Sequence, residues 1–330
     1  MIDPFDCVFS NDVASLSTYL EHGNVNVLDN KGLSLLDYAI RLHNNDIFKV
    51  LMRNFIDVDL QDKYGNTAYH YAVINNRLTY LKLLLTTNGN AMMPNNSGQT
   101  PLFLACLYGR EEMVSLYLEH YKLNLAYKDK QEETVLMALV RSRNLKLLKQ
   151  FDGYESLLEE PNYFGETPLT IAVARDSVQV ASFLISKGAF INTKNHFGET
   201  PLFYAIRNEN YLMVDLLLKN GALIDVKNST SETIFDLELS DDLKAYLTEK
   251  IALYNVNNYA KLYPVHYSII IGDSKRLANA LNVSNINKAD SFGYTPFYLA
   301  SYYNSKEMLN ILKEYSKEAK IILANNKIIS

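Results

Sequence analysis

Apolar residues recur along this chain in short runs at helical spacing, and the runs come in couples. In PLTIAVA, Leu169, Ala172 and Val173 stand at i, i+3 and i+4, the stripe of a helix that buries one face. A short polar break follows, then a second apolar run, VQVASFLISKGA, which stops at Gly188, where a helix C-terminus favours a left-handed residue. The same couple returns with LMVDLLLKNGA, which stops at Gly221. First runs open on threonine followed by proline, at Thr100, Thr167, Thr200 and Thr295. Threonine is a good N-cap, because its hydroxyl accepts a free amide of the first turn, and proline at the next position has its φ already set for helix. The pattern predicts a unit of turn, helix, short loop, helix.

The unit repeats. FGETPL occurs at 164–169 and again at 197–202, and its phase continues in both directions. Blocks open at Asp29, Asp62, Asn95, Asp129, Asn162, Asn195, Asn228, Asn258 and Asp290, separated by 33, 33, 34, 33, 33, 33, 30 and 32 residues. Such a period decides the architecture before any single motif does. Neither helix of a unit can bury its apolar face alone, so a continuous core requires neighbours to stack.

The chain resembles the ankyrin repeat family. The pattern D-x-x-G-x-T-P-L-H-x-A with a later L-L-x-x-G-A is matched most fully at 162–194 and 195–227. The resemblance implies an all-α ankyrin-repeat solenoid of stacked helix-turn-helix units with short hairpin loops. It divides the chain into an N-terminal helical cap at 1–28, repeats one to seven at 29–257, repeats eight and nine at 258–318, and a C-terminal tail at 319–330. Two repeats depart from the pattern. The fourth has Glu132 for the turn glycine, Leu139 for the small alanine and FDGYES for the closing turn. The seventh has Ile234 for proline and Glu238 for alanine, then DDLKAYLTEKIALYNV, which reads as one helix ending near Tyr254. A change of stacking is expected near 228–262, with 258–330 as a semi-independent stack.

Composition narrows the function. A net charge of −5 gives no reason to expect non-specific attraction to nucleic acid. No run of 18 or more apolar residues predicts a membrane span. The opening MIDPFDCVFSND lacks the basic and apolar regions of a secretory leader. Of the two cysteines, Cys106 falls in the apolar slot of a first helix and reads as a small core residue. A cytoplasmic, reducing location is expected, with delivery into a host cell if the protein is an effector.

No catalytic or metal-binding constellation emerges. The six histidines have no metal-type spacing. His70 and His266 occupy the fourth slot of T-P-L-H, where the resemblance implies support of the tight turn. GxSxG, P-loop, HExxH and paired CxxC motifs are absent. The expectation is a non-enzyme without cofactor, metal or small-molecule substrate.

The resemblance implies that a protein partner binds a concave face built from hairpin tips and the exposed side of the first helices. The recognition positions carry Tyr64, Tyr163, Phe164, His196, Phe197 and Phe292 at the tips, with Tyr259 and Tyr294 nearby. Arg41, Tyr108, Arg141, Arg175, Arg207, Tyr302 and Tyr303 stand at first-helix ends. Lys31, Lys63, Lys128, Lys130, Lys194 and Lys227 complete the face, opposed by Glu133, Glu166, Glu199, Glu232 and Asp241. Tyrosine and arginine are enriched at interface hot spots, so the expected partner offers an acidic and apolar contact surface. The main anchors fall on 162–227, as Tyr163, Phe164, Phe197, Arg175 and Arg207. An adaptor, scaffold or microbial effector and an inhibitor or immunity protein occluding a toxin or enzyme are the competing roles; an enzyme with a site hidden in the irregular repeats is the reading from another class.

Overall fold

The computed structural model of the protein describes residues 3–254, 258–282, 284–290 and 294–328. The chain forms two compact units, residues 1–163 and 164–330. Among the described residues there is no strand, only the isolated bridges Leu28–Ser34 and Lys128–Thr134 at hairpin bases.

The first unit is a run of helix pairs: α1 (Pro4–Ser10) with α2 (Val13–Leu20), α3 (Leu35–Leu42) with α4 (Asn45–Arg53), α5 (Ala68–Ile74) with α6 (Leu78–Leu84), α7 (Pro101–Leu107) with α8 (Glu111–Leu118), and α9 (Val135–Arg141) with the single turn α10 (Leu145–Leu148). The first helices α5, α7 and α9 are almost wholly buried: every residue of α7 from Pro101 to Cys106 is core. That burial explains why these segments are apolar all round rather than striped. Burial pushes the Cys106 thiol up to about 12, as suits an inert core residue.

The second unit holds α11 (Pro168–Ala174) with α12 (Val178–Ser186), α13 (Pro201–Arg207) with α14 (Tyr211–Lys219), then α15 (Asp241–Tyr254), α16 (Asn258–Leu262), α17 (Pro264–Ile271) with α18 (Ser274–Ala280), and α19 (Pro296–Tyr302) with α20 (Lys306–Ile328). The predicted caps form at Thr100, Thr167 and Thr295, whose hydroxyls accept from Phe103 N, Thr170 N and Tyr298 N. Thr200 makes no such bond.

The irregular repeats resolve differently. Glu132 takes the left-handed slot at φ +58°, and Ser231 does the same at +67°. In the seventh repeat no first helix forms: Thr233 N and Oγ1 both donate to Asp236, and residues 233–240 stay non-helical. Its second helix, α15, still packs on α14, with the Tyr211 and Tyr246 rings 4.8 Å apart and edge to face. Within the second unit, Val265, Ile269, Leu299 and Leu312 share one core with Phe190, Leu223 and Val226. The stretch expected as a C-terminal tail at 319–330 continues α20 as far as Ile328.

Candidate functional site: the hairpin tips and first-helix ends

Each hairpin is tied by its opening residue. Asp62 Oδ1 accepts from Tyr64 N at 2.9 Å and from Asn66 N at 2.7 Å. Asn195 Oδ1 accepts from Phe197 N and Glu199 N at 2.9 Å each. This is why a block opens on Asp or Asn: a short side chain with an acceptor closes the turn locally. The following glycine then has φ near +75°, as Gly65 at +78° and Gly165 at +77°. At Gly165 a Cβ would also stand 2.7 Å from His196 N, so the next hairpin leaves no room for a side chain.

That close approach carries a bond. In the first unit, Lys63 N donates to Lys31 O (3.0 Å), Asn96 N to Tyr64 O (2.8 Å), Lys130 N to Ser97 O (2.9 Å) and Tyr163 N to Gln131 O (2.9 Å). In the second unit, His196 N donates to Phe164 O (3.0 Å) and Ser229 N to Phe197 O (2.8 Å). These six tips are therefore each fixed to the one before, and the side chains they present are held on rigid backbone.

The rings at these tips face solvent. Tyr64 and Tyr163 in the first unit are 61% and 62% exposed; Phe164 and Phe197 in the second are 44% and 57% exposed. His196 and Arg175 are exposed as well. Phe292 lies outside the described residues.

Three other candidates are placed elsewhere. Tyr294, Tyr302 and Tyr303 turn inward against the link after α12. The Phe190 ring centroid is 4.0 Å from that of Tyr294 and 4.9 Å from that of Tyr302. Tyr294 Oη donates to Gly188 O at 3.1 Å, and Tyr303 Oη to Asn192 O at 3.2 Å. These tyrosines join the last repeat to its own unit. Sequence alone gave no signal for the receiving residue, because Phe190 follows its G-A turn just as the buried Leu223 does in the next repeat.

The arginines divide. Arg207 grips Glu199 with both ends of its fork, Nη1 donating to Oε2 at 2.8 Å and Nη2 to Oε1. That bond raises Arg207 above its ordinary value. Arg141 grips Glu133 the same way, with Nε 2.9 Å from each carboxylate oxygen. Glu166 accepts from Tyr204 Oη at 3.1 Å, while burial, and then the charge of Glu166, push that phenol up to about 12. Arg175 makes no salt bridge among the described residues, and neither does Arg41. Lys194 is half-buried, and burial holds its ammonium below the usual lysine range.

His70 and His266 are buried turn supports. Nδ1 of His70 accepts from Thr67 N at 3.0 Å, and Nε2 of His266 lies 2.8 Å from Tyr294 O. Among the described residues, no group of three or more His, Cys, Asp or Glu could hold a metal ion. No described helix is long and apolar enough to cross a membrane.

Paired helices joined by hairpins, with successive hairpins hydrogen-bonded to one another within each unit, define a repeat scaffold. A family model described as ankyrin repeats in three copies matches residues 5–96, 82–151 and 140–228, and the chain belongs to the ankyrin repeat proteins. It is 31% identical over 115 residues to an ankyrin repeat protein of Rickettsia bellii, covering 34% of this chain and 64% of that one. It is 26% identical over 149 residues to an ankyrin repeat protein of fowlpox virus, covering 45% of this chain and 34% of that one. The chain thus spans less than two thirds of either relative. Its fold is similar to the ankyrin repeat domain of human ASB11, with TM-score 0.55, 22% identity, and coverage of 66% of this chain and 98% of that one. The ankyrin domain of Bcl-3 matches with TM-score 0.50 and 21% identity over 66% of this chain and 100% of that one. Ankyrin repeats are in general non-enzymatic protein-binding scaffolds.

Proposed function

We propose that this protein is a non-catalytic binding module that recognises a protein partner through its hairpin tips and first-helix ends. The carrying observation is the exposure of aromatic rings on tips locked to one another by backbone hydrogen bonds. A large exposed apolar side chain on rigid backbone offers contact area with little ordering cost. In the second unit the surface comprises Phe164, His196, Phe197 and Arg175; in the first, Tyr64 and Tyr163 present the same chemistry. Arg207 is a weaker anchor than its position suggests, since Glu199 already occupies it. An acidic and apolar contact surface on the partner fits best, in the cytoplasm of the source cell or of a host.

The adaptor, scaffold or effector reading is preferred to the inhibitor reading, because the exposed rings are spread along successive repeats. Affinity purification with mass spectrometry, run in parallel on the wild type and on Phe197→Ala with Arg175→Glu, tests the proposal. The double variant should lose the partner while keeping its melting temperature; partners retained by that variant place the surface elsewhere.

A further inference from the structure

Three arginines occupy the same place in their repeats. Arg41, Arg141 and Arg207 each stand eight residues after the residue that follows the left-handed turn position (Gly32, Glu132 and Gly198), which is Leu33, Glu133 and Glu199 respectively. In two of the three repeats the glutamate closes the guanidinium in a two-pronged ion pair. In the first repeat the glutamate is missing. Arg41 lies instead between two rings, 5.5 Å from the centroid of Tyr38 and 5.7 Å from that of Tyr71.

The rings are themselves anchored. Tyr38 Oη donates to Asp29 at 2.8 Å, and Tyr71 Oη to Asp62 at 2.5 Å. The carboxylates of Asp29 and Asp62 are thereby engaged with phenols and hairpin amides, and neither reaches Arg41. Asp37 attracts Arg41 only at longer range, from a buried position. The result is a cation held on an aromatic clamp with its carboxylate-binding edge unused. Beside it lies a groove of about 460 Å³ whose lining includes Arg41, Tyr71, Tyr64, Lys31 and Lys63, with Asp62 as its one carboxylate, already bonded to the Tyr71 phenol. Lys63 Nζ rests 4.9 Å from the Tyr64 ring centroid, and neither lysine makes a salt bridge among the described residues.

We propose that this groove is a carboxylate socket for an acidic partner segment: one Asp or Glu of the partner takes the place on Arg41 that Glu133 and Glu199 take on their arginines, while its neighbours lie near Lys31 and Lys63. The molecule contains the occupied state twice, with its own glutamates as the ligand. A carboxylate is favoured over a polyphosphate because both internal copies use one, and because a chain of net charge −5 repels nucleic acid. The inference rests on the protein-binding reading above, but it concerns the first unit alone.

The test uses the full chain and labelled poly(Glu,Tyr) as probe, with oligothymidylate as competitor. Arg41→Gln should weaken binding about tenfold or more, the loss expected for a charge-assisted bond. Leu33→Glu should do the same without touching a cation, by installing the missing internal ligand. Glu199→Leu, which frees Arg207, should raise the number of sites. No saturable binding by the wild type, binding indifferent to both first-repeat variants, or displacement by oligothymidylate as effective as by unlabelled poly(Glu,Tyr) would overturn the proposal. Partner capture through Phe197 and Arg175 reads the second unit, so either result can fail while the other stands.

Discussion

His70 donates from Nε2 to the carbonyl oxygen of Gln99 at 3.0 Å, joining one repeat to the hairpin of the next. Its Nδ1 accepts from Thr67 N, so the neutral ring with the proton on Nε2 serves both bonds. The ring is buried, and burial holds it below the usual imidazole range. His266 is depressed for the same first reason. The folded state therefore resists a proton that the unfolded chain accepts near pH ~6.5. Stability should fall as pH drops below about 6.5, and His70→Ala should cost about 1–3 kcal/mol at neutral pH by leaving buried partners unsatisfied. Urea midpoints across the pH range check both; a midpoint unchanged by His70→Ala would show that the bridge is dispensable.

Asp37 occupies the equivalent slot in the first repeat, with the opposite pH response. Its Oδ2 accepts from Ser34 N and Ser34 Oγ at 2.8 Å, while its buried Oδ1 has no partner. Burial, followed by the charge of Asp62, pushes this carboxyl up to about 7, against the Ser34 bonds and Arg41. A folded value above the unfolded one means stability present at low pH and lost as pH rises from about 4 towards 7. Asp37→Asn should be more stable than wild type by roughly 1–3 kcal/mol at pH ~8, with the gain vanishing near pH ~4. Parallel denaturation at the two pH values measures it.

Leu217→Ala should destabilise far more than Lys219→Ala. Leu217 is fully buried in α14, whereas Lys219 is exposed two residues on. A buried leucine truncated to alanine costs about 2–5 kcal/mol, and a surface lysine change about 0.5 or less. Equal denaturant midpoints would contradict the observed register.

Most of this scaffold was legible because each unit carries its own punctuation. Asp62, Gly65, Thr67 and His70 act on neighbours within a few residues, so their spacing encodes the hairpin directly. Even the departures at Glu132 and Ile234 pointed to real irregularities: a strained left-handed residue and a lost helix. What periodicity could not reveal was contact between distant blocks. Tyr294, Tyr302 and Tyr303 look like tip and helix-end residues in any single repeat; only the fold brings Phe190, more than a hundred residues earlier, against them. Likewise Arg41 and Arg207 read alike in sequence, and the difference lies eight residues upstream, in whether a carboxylate closes them.

The Phe190 contact predicts a local weakness. Phe190→Ala removes the ring around which Tyr294 and Tyr302 pack, a loss of about 3–5 kcal/mol for a buried phenylalanine. In a repeat protein such a loss is felt mainly by neighbouring units. Amide hydrogen exchange should accelerate in α17 and α19 while α5 and α7 keep wild-type protection. Uniform acceleration, or none, would mean that the link does not hold the last repeats.

The central claim is that partners are read at the tips. A photo-crosslinking residue placed in turn at position 197, on a tip, and at position 212, 72% exposed on α14, tests it directly in the source cell. The account predicts a partner adduct from position 197 and none from position 212. An adduct from position 212 with none from position 197 would contradict it.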